Sequence, residues 1–146
     1  MAGDAIMPGP ALVDALEGIL QRGEVMAPDW DVALIEAISG EWGIGITAND
    51  IIEPSWPGYT RRTIPRAQWR AVELIDGIAT SWPVSTEWLE WTNQGTGDSP
   101  PVFGYAIIEQ ATDRLILAVR YAEPDRLAVG PGRTYRLRPL VTLSNA

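Results

Sequence analysis

From residue 69 onward the chain is cut into short apolar-alternating runs by Gly, Pro and Asp, at intervals too close for long helices and well matched to strands. The clearest pair is Val102 to Glu109 and Arg114 to Tyr121, joined by Gln110-Ala111-Thr112-Asp113, a four-residue link of ordinary hairpin length. Leu115, Leu117, Val119 and Tyr121 alternate along the second run and predict one apolar row. An earlier strand is expected from Glu87 to Thr92, with Leu89 and Trp91 facing one way and Trp88 and Glu90 the other. Tryptophan on both sides predicts that both faces are covered. Pro124-Asp125 turns the chain into a short segment, Arg126 to Val129, and Gly130-Pro131-Gly132 turns it into a last run, Arg133 to Leu143. There Tyr135, Leu137, Val141 and Leu143 alternate with Arg136, Arg138 and Thr142. Pro139 lacks an amide donor, so that strand belongs at an edge or kinks near the proline.

The front of the chain reads differently. Residues 1–10 hold too little periodic apolar content to order themselves and are expected to form an arm or frayed start. Over 11–22, Leu12, Val13, Leu16, Ile19 and Leu20 fall on one helical face, Pro10 suits the first turn and Gly23 the end, which predicts one short helix. Its stripe fits docking on its own core or on a neighbouring subunit. Asp31 to Ile38 suits a short helix or a buried strand by period, and Pro28 before it and Gly40 after it favour the strand. Residues 39–58, with four Gly, two Pro and Asn49, predict a long irregular loop and the first place to seek a contact surface. Tyr59 to Ile64 and Trp69 to Ile75 follow as strands. The count reaches about eight strands with no internal repeat. The predicted fold is therefore mainly β, an antiparallel β-sandwich or jelly-roll-like domain over 11–146 with one short N-terminal helix.

Composition narrows the chemistry. The 146 residues contain no His and no Cys, which removes the imidazole base, the thiolate nucleophile, the disulfide and the ordinary soft-metal site. No cofactor and no enzyme activity are expected. Residues 1–58 carry ten acids against one base, whereas 59–146 carry nine acids and ten arginines. An acidic front half argues against nucleic acid as a partner, because that affinity rests on basic groups displacing counterions. Apolar runs of only a handful of residues, and no basic-then-apolar leader, lead us to expect no membrane association. Every base is Arg, which suits fixed pairing with carboxylates at interfaces and equally fits a bias of codon usage.

Seven tryptophans offer large amphipathic area, used for core filling or as interface anchors. Trp69 and Trp91, on expected strands, read as core. Trp42 and Trp56, in the Gly/Pro-rich stretch, read as contact residues. Arg61, Arg62, Arg136 and Arg138 are candidates to pair with acids of another molecule. Glu87 and Glu90 fall on opposite faces of their strand and make no glycosidase pair. Asn93, Gly95 and Asp98 match a turn better than a calcium loop. Gly43-Ile44-Gly45 lacks the third glycine and the helix of a dinucleotide cradle.

The order of these features resembles that of small tailed-bacteriophage virion proteins. It runs from a Leu-rich helix through a Val-Ala-Leu-Ile strand and a loop to Pro57-Gly58-Tyr59-Thr60-Arg61-Arg62. Trp69, a Trp-bearing stretch from Trp82 to Trp91, Gly-Tyr-Ala-Ile-Ile from Gly104, a Leu-rich strand from Leu115 and a glycine turn before the last strand complete it. The pattern covers most of 11–143, and 45–55 carries no family signature. The resemblance implies a β-sandwich of the virion: a capsid cement or decoration protein on the capsid surface, bound to the major capsid protein and to copies of itself as a homo-oligomer. A tail or fibre-associated adaptor is the alternative, and a carbohydrate-binding module that stacks sugars on Trp42, Trp56 or Trp88 is a third reading. Within the resemblance Tyr59 and Arg61 hold structural positions.

Overall fold

A computed structural model of the protein describes residues 3–6, 29–65, 68, 73–75, 78–81 and 88–143. These are mainly β, in antiparallel sheets, and the only helical elements among them are single short turns. The strands are β1 (Gly3–Ile6), β2 (Asp29–Ile35), β3 (Ala37–Ile38), β4 (Ile51–Ile52), β5 (Arg62–Pro65), β6 (Glu73–Ile75), β7 (Ile78–Ser81), β8 (Leu89–Thr92), β9 (Gly104–Glu109), β10 (Arg114–Tyr121), β11 (Thr134–Leu137) and β12 (Val141–Leu143). The helix expected over 11–22 lies outside the described residues, as do Trp69 and Trp82. Within the stretch expected to form an N-terminal arm, β1 pairs with β10, Gly3 opposite Tyr121 through Ile6 opposite Ala118, so the ladder orders what local composition could not.

A five-stranded sheet in the order β1-β10-β9-β2-β5 organises the fold. Its central strands β2 and β9 are apolar without alternation, because both faces are covered. Val32, Leu34, Tyr105 and Ile107 belong to one core with Trp91, Tyr121, Tyr135 and Leu137. Ala33, Ile35, Ala106 and Ile108 belong to a second core with Ile46, Ile51, Leu115 and Ala118. Pro65 sits at the end of β5, an edge strand of this sheet, where a missing amide costs no ladder bond.

The β9–β10 hairpin has its expected link and second strand, while its first strand begins at Gly104 instead of Val102; it is closed by Asp113 N–H donating to the Glu109 carbonyl (2.8 Å) with Asp113 in the left-handed region (φ 57°). The single apolar row expected on β10 is corrected. A bulge between Leu115 and Leu117 inserts Ile116 and reverses the parity, so Leu115 joins the second core while Leu117, Val119 and Tyr121 face the first. Gly104, opposite Arg120, lies so close to the Val119 carbonyl that any Cβ there would collide with it.

Most of 39–58 has neither strand nor helix, as expected of a long loop, yet the stretch is organised by its own contacts. β3 and β4 pair, Ser39 N–H donates to the Asp50 carbonyl (2.8 Å), and a 3-10 turn at Ala48–Asp50 is held by Thr47 and Asp50. Burial of Ile46 and Ile51 seats this flap on the second core. The last run breaks at Pro139 into β11, which pairs with β8, and β12, which pairs with β7. At that corner the Tyr105 hydroxyl donates to the Leu140 carbonyl (3.0 Å) and accepts from Leu140 N–H (3.1 Å), replacing the ladder bonds the proline interrupts. Arg126 to Val129 is no strand, although the Leu127 and Val129 carbonyls still accept from Val102 and Ser99 N–H.

Candidate interaction surface

β8 and β11 form a two-stranded ribbon whose alternation separates a buried row from an exposed one. Trp91, Tyr135 and Leu137 point inward to the first core, with Leu89 packed against them. The Trp91 indole N–H donates to the Thr60 carbonyl (2.6 Å), so its polar tip is satisfied inside. Glu90 and Thr92 of β8 and Thr134 and Arg136 of β11 take the opposite parity, and Trp88 just before β8 and Arg138 just after β11 continue the same spacing. The expectation that both faces of this strand are covered is corrected, because Trp88 is 51% exposed.

The outward row is organised by its own contacts. Arg136 opposes Glu90 in register and its Nε lies 3.0 Å from Glu90 Oε1. The Thr92 and Thr134 hydroxyls are 2.8 Å apart, and the Arg138 guanidinium lies 5.7 Å from the centre of the Trp88 ring. Arg62, reaching over from β5, donates through Nη2 to the Glu90 main-chain carbonyl at 2.9 Å. Exposed pairs of this kind contribute about 0–1 kcal/mol to stability. Their order is therefore better explained by what the face presents than by what it holds together. Among the described residues, three arginines and one tryptophan around a single carboxylate give the face an excess of positive charge and an unburied aromatic surface.

Three of the six residues singled out from sequence thus share this face: Arg62, Arg136 and Arg138. The other three lie elsewhere. Arg61 is committed within the chain, its Nε and Nη2 forking onto Glu53 (3.1 and 2.9 Å) and its Nη1 reaching Asp113 Oδ1 (2.8 Å) at the β9–β10 hairpin. Hydrogen bonds that it donates to these two carboxylates, chiefly to Glu53, hold its guanidinium above the ordinary value. Trp56 is half-buried, its ring edge-on to Tyr59 at 5.7 Å. Trp42 is half-buried against the second core, tilted 5.9 Å from Phe103, with the Arg120 guanidinium 5.3 Å from its ring.

Tyr59 connects these contacts to the sheet. β5 leaves β2 after Arg62 opposite Val32, and the Leu34 N–H beyond that point donates instead to the Tyr59 hydroxyl (3.1 Å), which donates to Glu53 Oε1 (2.7 Å). Burial, then the neighbouring Glu53, raises the Tyr59 pKa well above its usual range. A phenol held protonated in this way serves as a cap for the strand.

The residues that sequence reasoning passed over are Ile44 and Ile52 on the flap, 76% and 45% exposed, and Trp88 as an interface anchor. Trp88 carried a usable signal in its alternation with Trp91. Ile44, between two glycines, carried none. Asn93 is fully buried and turned inward, its Nδ2 donating to the Val129 and Gly97 carbonyls (2.8 and 3.0 Å), which fits turn chemistry. Among the described residues no three acidic side chains gather closely enough to hold a metal ion, and no helix is long and apolar enough to cross a membrane. A scan against models of known protein families finds no match, and a search of curated proteins finds no similar sequence.

Proposed function

We propose that the protein is a virion structural component that decorates or cements a bacteriophage capsid, bridging shell subunits from the capsid surface. The observation that carries this reading is the exposed face of β8 and β11, where Arg62, Arg136, Arg138 and Trp88 are ordered by contacts that add little to the fold. Arg and Trp are the residue types most enriched among interface hot spots. The core shared by the five-stranded sheet and the β8–β11 ribbon supports the finer reading of a β-sandwich or jelly roll. The order of motifs resembling small phage virion proteins supplies the setting.

Such a protein works by geometry. Each copy spans a seam and removes apolar surface from water at about 25 cal/mol per Å², and many modest contacts together oppose expansion of a filled head. The test is sedimentation of the purified protein with DNA-emptied capsids, with heat resistance of particles compared in its presence and absence. Saturable binding and a raised temperature of DNA release are expected. Failure to sediment, with heat resistance unchanged, overturns the reading. Location on the tail by imaging would favour the adaptor role instead. The half-exposed ring of Trp88 beside Arg138 favours one further reading, a sugar-stacking site, which tryptophan fluorescence in the presence of oligosaccharides would detect.

A further inference from the structure

The two surfaces that the central sheet holds apart are complementary to each other. On the side of the first core the β8–β11 face carries, among the described residues, Arg62, Arg136 and Arg138 against one carboxylate, Glu90, around the exposed Trp88. On the side of the second core the flap over 36–52 carries Glu36, Glu41 and Asp50, with no Lys or Arg in that stretch, beside the exposed Ile44 and Ile52. Arg120 and Arg126 lie over Trp42 and Phe103 at its root, while Glu41 and Ile44 are both exposed.

We infer that the β8–β11 face receives the flap of a second copy of this chain, Ile44 and Ile52 packing against Trp88 while Glu36 and Glu41 meet Arg136 and Arg138. This deepens the proposed function, since it rests on the reading of the protein as a multi-copy adhesive component. It identifies the acidic partner of the arginines as a surface known to exist at matching copy number. The two patches belong to opposite faces of one sheet, so the contact is heterologous. One copy's flap occupies the next copy's ribbon, and the assembly closes as a ring or extends as a row. Copies of net charge −8 repel in general. A locally basic face therefore also fixes which side of a neighbour can approach.

A charge exchange tests this in solution. Sedimentation velocity of the full chain should show association that weakens about tenfold or more between low salt and 0.5 M salt, because exposed ion pairs are screened. The double variants R136E/R138E and E36R/E41R should each associate at least about a hundredfold more weakly than the parent, since like charges then face each other. Mixed in equal amounts, the two variants should recover association, with the opposite charges restored across one contact. A parent chain that stays monomeric to millimolar concentration overturns the inference. So does association that survives both reversals, or variants that keep the parent circular dichroism yet fail to pair when mixed. No capsid is present in this assay. Loss of capsid binding with self-association intact would count against the virion reading alone, and capsid binding by a chain that never self-associates would count against this contact alone.

Discussion

The two faces of the central sheet are filled by different kinds of residue. Among the described residues the buried aromatics, Trp91, Tyr105, Tyr121 and Tyr135, all belong to the first core. The second is made of small and branched aliphatics, with Ala33, Ala106 and Ala118 among Ile35, Ile108, Ile46 and Ile51. The first face is covered by elements that change sheet or break, and there the backbone lacks regular partners. Aromatic residues with a polar tip span such gaps: the Tyr59 hydroxyl serves Leu34, the Tyr105 hydroxyl serves Leu140, and the Trp91 indole serves Thr60. The second face receives a flap that pairs with itself through β3 and β4, so it needs little polar reach from the sheet. Alanine there leaves room for Ile46 and Ile51. The residue type on each face follows from how complete the covering backbone is.

Alkali breaks the aromatic face most completely. All four tyrosines of the chain are held above the usual phenol value by burial, with Tyr59 and Tyr105 remaining raised although a backbone N–H donating to the hydroxyl opposes the shift in each. A folded pKa above the unfolded value of about 10 means that the contribution is complete below that pH and declines above it, as the unfolded chain ionises first. The slope is about 1.4 kcal/mol per pH unit for each tyrosine that stays protonated in the fold. Absorbance at 295 nm should therefore show no tyrosinate until the fold is lost, and all four phenols should then appear together above about pH 10. Gradual ionisation of the folded protein near pH 10 would show that these rings are open to water. Next in size is Trp91→Ala. It removes a fully buried indole from the middle of the same face and is expected to cost about 3–5 kcal/mol in urea unfolding.

Much of this division was legible in residue order, and the places where it was not have physical reasons. The β9–β10 hairpin shows in sequence because its alternation and four-residue link are local. The reversal at Ile116 does not, since the extra residue is apolar like its neighbours and its placement is decided by pairing with β9. The pairing within the flap does not show among its glycines and prolines, because two-residue strands fall below the window in which periodicity can be seen. Ile75 and Ile78 pair across Asp76-Gly77, the dipeptide favoured in two-residue hairpin links, so that signal stood in the sequence unused. At the candidate surface, the alternation of Arg136 and Arg138 was readable. Their placement beside Glu90 and Trp88 depends on the register of strands more than forty residues apart. The Gly- and Pro-rich surroundings of Trp42 and Trp56 point to contact residues but carry no sign that each core half-covers one of them.

The aliphatic face is sharpened by a substitution that adds volume. Ala106 is fully buried between β2 and β10 at the second core, so Ala106→Leu has no space to enter without moving the flap. An overpacking cost of about 1–3 kcal/mol is expected. Hydrogen exchange should locate the disturbance at the amides of Glu36 and Ser39, which bond to the Ile52 and Asp50 carbonyls of the flap. Faster exchange spread instead over Tyr105 and Leu137 would mean that the two faces are mechanically coupled and that the comparison is too sharp.

The smallest change isolates one hydroxyl. In Tyr59→Phe the ring keeps its stacked neighbour Trp91 and its edge contact with Trp56, so packing on the aromatic face is preserved. What is lost is the acceptor for Leu34 N–H and the donor to Glu53. A buried amide left without a partner costs about 1–3 kcal/mol, and the low end applies here because Arg61 continues to hold Glu53 by its fork. Exchange at Leu34 should accelerate while its neighbours on the β9 side keep their ladder protection. The variant should also raise resistance to alkali relative to its neutral-pH stability, since one phenol that must ionise on unfolding is gone. If stability at neutral pH is unchanged and Leu34 exchanges at the parent rate, the hydroxyl is not what ends the β2 ladder. Aromatic residues on that face would then serve the backbone through Tyr105 and Trp91 alone.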